Sequence, residues 1–210
     1  MRMETRQVQQ NLADLGFAPG AVDGIEGPQT RTAVARFQLA YAIERLAVDA
    51  IAGPKTWAAL SECVRNAGRI SPHFRVDELR SRGDRTCWVH RELLEALEVL
   101  RRNVGRPLII RSGWRDPAHN ASVGGATSSQ HTFGAAPELD AIRVRLAGNA
   151  DRVAGRAADF DRGYVTLDDV RDLGLFTGIG YRQDGRTNWV THVDVRAGRT
   201  PQNPSVWPYK

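Results

Sequence analysis

The chain's 210 residues are 41% hydrophobic and 25% charged, which excludes a disordered or fibrous protein and leaves room for one large domain or two smaller ones. The formal net charge of +5 suits an anionic polymer partner, but the arginines are scattered and no nucleic-acid motif appears, so nucleic acid is not expected. No run of 18 apolar residues exists, which excludes a membrane-spanning helix; no membrane partner and a monomer are expected.

The amino-terminal stretch "MRMETRQVQQNLADLG" is polar and lacks an apolar core followed by a small-residue cleavage site, so no secretory signal is expected. Apolar spacing then predicts three helices. Val8, Leu12 and Leu15 mark the first, Val34, Phe37 and Tyr41 the second, and Trp57, Leu60 and Val64 the third. Each stripe is narrow, so an all-α three-helix bundle is expected over residues 1–65. Within it "VDGIEGPQTRTAV" (Val22–Val34) recurs 26 residues later as "VDAIAGPKTWAAL" (Val48–Leu60). Each copy reads as a turn, then Gly-Pro, then a helix, because proline suits a first helical position whose N–H would have no partner. Together with the helix ending in FQ, these motifs resemble, over residues 5–62, the peptidoglycan-binding module that flanks many wall hydrolases. The resemblance implies bacterial peptidoglycan as an anchoring ligand.

Residues 66–75, small and polar with Pro72, read as a linker to a second domain over residues 76–210. There Leu93, Leu97 and Leu100 mark a helix, and "RPLIIRSG" reads as a short buried strand. Thr166 and Asp169 have capping-box spacing at the start of a further helix. "FTGIGYR" and "NWVTHVDVR" alternate as strands do. Helices and strands without a regular βαβ rhythm predict an α+β domain with a small antiparallel sheet. Cys63 and Cys87 lack paired spacing, and both buried thiols and a single bridge fit them.

His192 and Asp194, two apart on a presumed strand, share one face. A hydrolytic zinc site takes three histidine or carboxylate ligands and leaves one position for water. "SGWR", "SSQHTFG", "GRAADF" and "THVDV" supply such groups. In that order, over residues 71–198, they resemble the zinc D-Ala-D-Ala carboxypeptidase family, which also includes L-alanyl-D-glutamate endopeptidases of phage lysins. The family pattern S-x-H-x-x-G-x-A-x-D, followed by a later histidine, implies Zn2+ as cofactor. It implies His131 and His192 as ligands, Ser129 beside the first, and Arg115 holding the substrate's carboxylate through a planar, permanently charged guanidinium.

This sequence departs from the pattern after Gly134, where the in-register aspartate position holds Glu138. Removing Ala135–Gly155 restores "SQHTFGRAADF". An insertion at about 135–155 is therefore expected, with Asp159 the preferred third ligand over Glu138 and Asp140. Leu139, Ile142, Leu146 and Val153 have helix-like spacing, as a flap over a cleft would. Many relatives carry an acid three positions before the last histidine, but Trp189 stands there. Asp194 is left as the candidate general base, or as a group that only orients His192.

The expected function is that of an endolysin-like zinc peptidase cleaving a bond in wall stem peptides, as a carboxypeptidase or an endopeptidase. It would be made in a host cytoplasm and act after release. The alternative is a non-catalytic wall-binding or virion structural protein whose insertion has disrupted the metal site. A thiol peptidase built on Cys87 and His90 lacks a third group to orient the histidine. His90 and His119 are expected to be structural.

Overall fold

Both Gly-Pro turns of the repeat open helices, with the proline in the first helical turn of each. In the computed structural model, which describes residues 4–132, 155–160, 165–196 and 199–209, α1 spans Thr5–Asp14, α2 Pro28–Ala40 and α3 Pro54–Arg65. Helix α1 packs on both α2 and α3. The repeated loops are pinned in the same way. Gln9 Nε2 donates to Asp23 Oδ1, the Ile25 carbonyl and Thr30 Oγ1, and Gln38 Nε2 donates to Asp49 Oδ1, the Ile51 carbonyl and Thr56 Oγ1. Each amide oxygen accepts backbone N–H groups of its loop, so a buried glutamine replaces the ladder that an irregular segment lacks.

The stretch 66–75, expected as a linker, contributes Ile70 and Phe74 to the interior, and the Ile70 carbonyl accepts from the Ala42 N–H. A four-residue helix α4 (Val76–Leu79) follows. Helix α5 (Arg91–Val104) buries Leu93, Leu94, Leu97 and Leu100 and ends at Gly105 in the left-handed region. Its N-terminus is capped by His90, whose Nδ1 accepts from the Glu92 N–H. Next come β1 (Ile110–Ser112), α6 (Pro117–Ser122), β2 (Ala157–Phe160), α7 (Leu167–Leu173), β3 (Gly178–Asp184), β4 (Thr187–Asp194) and β5 (Ser205–Pro208). Thr166 and Asp169 form a reciprocal capping box on α7.

The strands make one five-stranded sheet in the order β1-β2-β4-β3-β5. Three of the pairings are antiparallel, but β5 runs parallel to β3, which corrects the expectation of an antiparallel sheet. The architecture is thus a helical amino-terminal region followed by a mixed helix and sheet region. A continuous apolar cluster runs from Leu12, Phe17 and Phe37 through Ile70 and Phe74 to Leu93, Phe176 and Val193.

Candidate metal centre

Cross-strand partners in a sheet share a face, and one row of partners crosses all five strands. Ser112 pairs with Asp159, Asp159 with His192, His192 with Gly180, and Gly180 with Trp207. That row floors an open cleft of about 930 Å3, lined also by Arg115, Ser129, His131, Arg182, Arg196 and Tyr209.

His131 reaches the row from the turn after α6. Gly113 lies hard against Leu79, where a Cβ would come within 2.6 Å of the Leu79 carbonyl oxygen. The Trp114 N–H donates to that same carbonyl at 2.7 Å. This close approach fixes the strand-to-helix corner. The Gly113 carbonyl then lies 2.6 Å from His131 Nδ1, and the Arg115 N–H donates to the His131 carbonyl. A carbonyl can only accept, so Nδ1 carries the proton and His131 Nε2 presents a lone pair. His192 is held the other way round. Its Nε2 lies 3.2 Å from Asp194 Oδ2, which leaves Nδ1 facing Asp159.

Both free nitrogens converge on one oxygen. His131 Nε2 is 3.2 Å and His192 Nδ1 2.8 Å from Asp159 Oδ1. One ligand atom from each of the three residues lies within 4.8 Å of the others, the spread that a single cation needs. Two imidazoles and a carboxylate are a donor set that suits zinc, and each imidazole has its second nitrogen anchored, as ligating histidines generally do.

The electrostatics favour positive charge here. Burial would raise the Asp159 carboxyl, but the His131 and His192 rings beside it, when protonated, hold it far below the ordinary carboxylate range. Burial opposes a charge on the His192 ring, yet Asp159 and Asp194 on its two sides lift its pKa above the usual value. The field that draws a proton onto that ring also draws a divalent ion. Asp194 would itself be raised by burial, but Arg196 and His192 bring it down to about 2.

The structure brings His131, Asp159, His192, Arg115, Ser129 and Asp194 together. Arg115 donates from its Nε to Ser112 Oγ and from a terminal nitrogen to Asp159 Oδ2, at the edge of the cleft. Ser129 Oγ accepts from the His131 N–H, shaping the turn that carries the ligand. Asp194 is fully buried beneath His192; one oxygen meets His192 and Arg196, the other the Arg196 Nε and backbone N–H. It does not line the cleft. Glu138, Asp140, the insertion and the flap expected within it lie outside the described residues. Cys63 and Cys87 are free and buried, and burial pushes both thiols up, Cys63 to about 12. With its Nδ1 committed to capping α5, His90 gives Cys87 no base, so the thiol peptidase is set aside.

Sequence reasoning missed Gly178, Gly180, Arg196, Trp207 and Tyr209. A Cβ at Gly178 would strike the Asp194 carboxylate, and one at Gly180 would strike the Tyr209 ring and lie 3.0 Å from Trp207 Nε1. The two glycines of "GIG" on β3 were the available signal, since glycine inside a strand marks a close approach.

Residues 2–60 match the family described as "Putative peptidoglycan binding domain", and residues 72–194 match the family described as "Peptidase M15". The zinc D-Ala-D-Ala carboxypeptidase of Streptomyces albus G is 33% identical over 162 residues, covering 65% of this chain and 57% of that protein. The N-acetylmuramoyl-L-alanine amidase CwlM of Mycobacterium tuberculosis is 42% identical over 78 residues, covering 36% of this chain and 18% of that protein. The chain therefore spans little more than half of one relative and under a fifth of the other.

Proposed function

The chain belongs to the peptidase M15 family, and from that premise we propose that it is a zinc-dependent peptidase that hydrolyses a peptide bond in the stem peptides of bacterial peptidoglycan. The observation that carries this reading is the convergence of His131 Nε2, His192 Nδ1 and an Asp159 oxygen on the floor of an open cleft. These three residues would hold the ion. Bound zinc supplies Lewis acidity, which makes a water nucleophilic near neutral pH and polarises a peptide carbonyl.

The chain's other residues do the rest. Gly113 and Asp194 anchor the second nitrogens of the two imidazoles, and Arg196 neutralises Asp194 so that the buried carboxylate stays a hydrogen-bond acceptor. Arg115, at the cleft edge, can offer its guanidinium to a substrate carboxylate in the bidentate manner that suits stem peptides, which are rich in carboxylates. The amino-terminal region, matching a peptidoglycan-binding family, supplies the anchor to the wall. A wall-bound anchor joined to a peptidase fits a lysin-type, bacteriolytic role. The domains implied are residues 1–65 and 76–210.

Purified peptidoglycan incubated with the zinc-loaded protein should release fragments whose new termini, read by mass spectrometry, lie at one kind of peptide bond. Loss of a terminal residue alone would mark a carboxypeptidase, and new internal amino and carboxyl termini an endopeptidase. Chelation should abolish release and added zinc restore it. Release of fragments at an undiminished rate in chelator, or none under any condition, overturns the reading.

A further inference from the structure

The cleft has an aromatic wall that the metal centre itself does not require. Gly180 sits beside His192 in the row across the sheet, and its missing side chain leaves space above the floor. Trp207 and Tyr209 fill that space from β5 and the residue just beyond it. The Trp207 ring centroid is 5.3 Å from that of His192 and 6.2 Å from that of Tyr209. The Tyr209 backbone is tied down, its N–H donating to the Tyr181 carbonyl at 2.7 Å. Its phenol lies close enough to Asp159, Arg115 and Asp194 for their charges to act on it, and its oxygen accepts a hydrogen bond from the Trp207 side chain.

Two of the other polar groups along the cleft are already engaged. Arg196 is engaged by Asp194, and Ser129 Oγ by the His131 N–H. Among the described residues lining the cleft, Asp159 is the one carboxylate, and it belongs to the ligand set. The Tyr209 oxygen, by contrast, has an acceptor site filled by Trp207 while its O–H remains to be given. A hydroxyl that accepts a hydrogen bond is a stronger donor through its own proton. A phenol's ordinary pKa of about 10 keeps the O–H in place at neutral pH.

We propose that the Tyr209 phenol donates a hydrogen bond to the scissile carbonyl oxygen as negative charge develops on it, with Trp207 as the positioning residue that aims it. No bond to the phenol breaks; the proton stays on Tyr209 throughout. The inference rests on the peptidase reading above and adds a catalytic residue from the carboxyl-terminal strand. Removing one such preorganised donor typically costs roughly 10²- to 10³-fold in kcat.

The test compares zinc-loaded wild type with Tyr209→Phe and Trp207→Phe on a synthetic stem peptide, alongside binding of a phosphinate analogue of that peptide. Tyr209→Phe should lose about 10²-fold in kcat with little change in KM, bind the phosphinate weaker by a like factor, and keep its zinc content and melting temperature. Trp207→Phe should show a smaller loss of the same kind. A Tyr209→Phe enzyme with wild-type kcat and phosphinate affinity overturns the inference and leaves the peptidase reading standing. A wild type that cleaves nothing overturns both.

Discussion

Each histidine at the centre is defined by what its second nitrogen touches. His131 gives Nδ1–H to the Gly113 carbonyl and His192 turns Nε2 to Asp194, so Nε2 of the first ring and Nδ1 of the second face Asp159. This supports an orienting part for Asp194. A general base must reach the proton that it takes, and a fully buried carboxylate saturated by His192 and Arg196 does not. Asp194→Asn should therefore weaken zinc binding by roughly 10- to 100-fold, while kcat measured at saturating zinc stays within several-fold of wild type. A loss of about 10²-fold or more at saturating zinc would make Asp194 the base after all. At this scale the sequence was informative about identity and silent about role. Period-two spacing puts Asp194 beside His192, but the answer depends on Arg196 folding back onto it from beyond the strand end, which no spacing rule reports.

Among the elements, the repeat was legible because Gly-Pro and the turn residues recur in register. Its buried glutamines were not, since Gln9 and Gln38 lie in the preceding helices, outside the two repeated stretches, and read there as ordinary polar positions. Gln38 is 1% exposed and satisfies both faces of the loop Asp49–Ile51. Gln38→Ala strands those buried groups and should cost about 1–3 kcal/mol in denaturant unfolding, whereas an unchanged midpoint would mean that the loop is held by its backbone alone. Strands β2 and β5 escaped notice for different reasons. "AADF" is too short and too rich in alanine to declare a strand, and "SVWP" carries a proline that argues against one, a residue that is tolerated here because β5 is the edge of the sheet. With β5 went the parallel pairing and the aromatic wall of the cleft.

Across the whole molecule the amino-terminal helical region and the region that carries the metal centre are packed together. The Arg36 guanidinium of α2 sits over the Trp88 ring, and Trp88 stacks on Trp114, the residue between Gly113 and Arg115. Arg45 pairs with Glu95, and the Cys87 N–H donates to the Gly16 carbonyl. The amino-terminal region thus abuts the very corner that carries the His131 acceptor, a relation between distant segments that the sequence leaves unstated. The motif pieces, by contrast, were readable across some 80 residues because the chemistry of a cation site tolerates few residue types.

The central claim is that His131, Asp159 and His192 share one zinc ion, and diffraction from crystals of the zinc-loaded protein at the zinc absorption edge tests it most directly. A single anomalous peak about 2.0–2.2 Å from His131 Nε2, His192 Nδ1 and an Asp159 oxygen is the predicted result. A peak that engages the two imidazoles with Glu138 or Asp140 in place of Asp159, or no peak between them, would contradict the account.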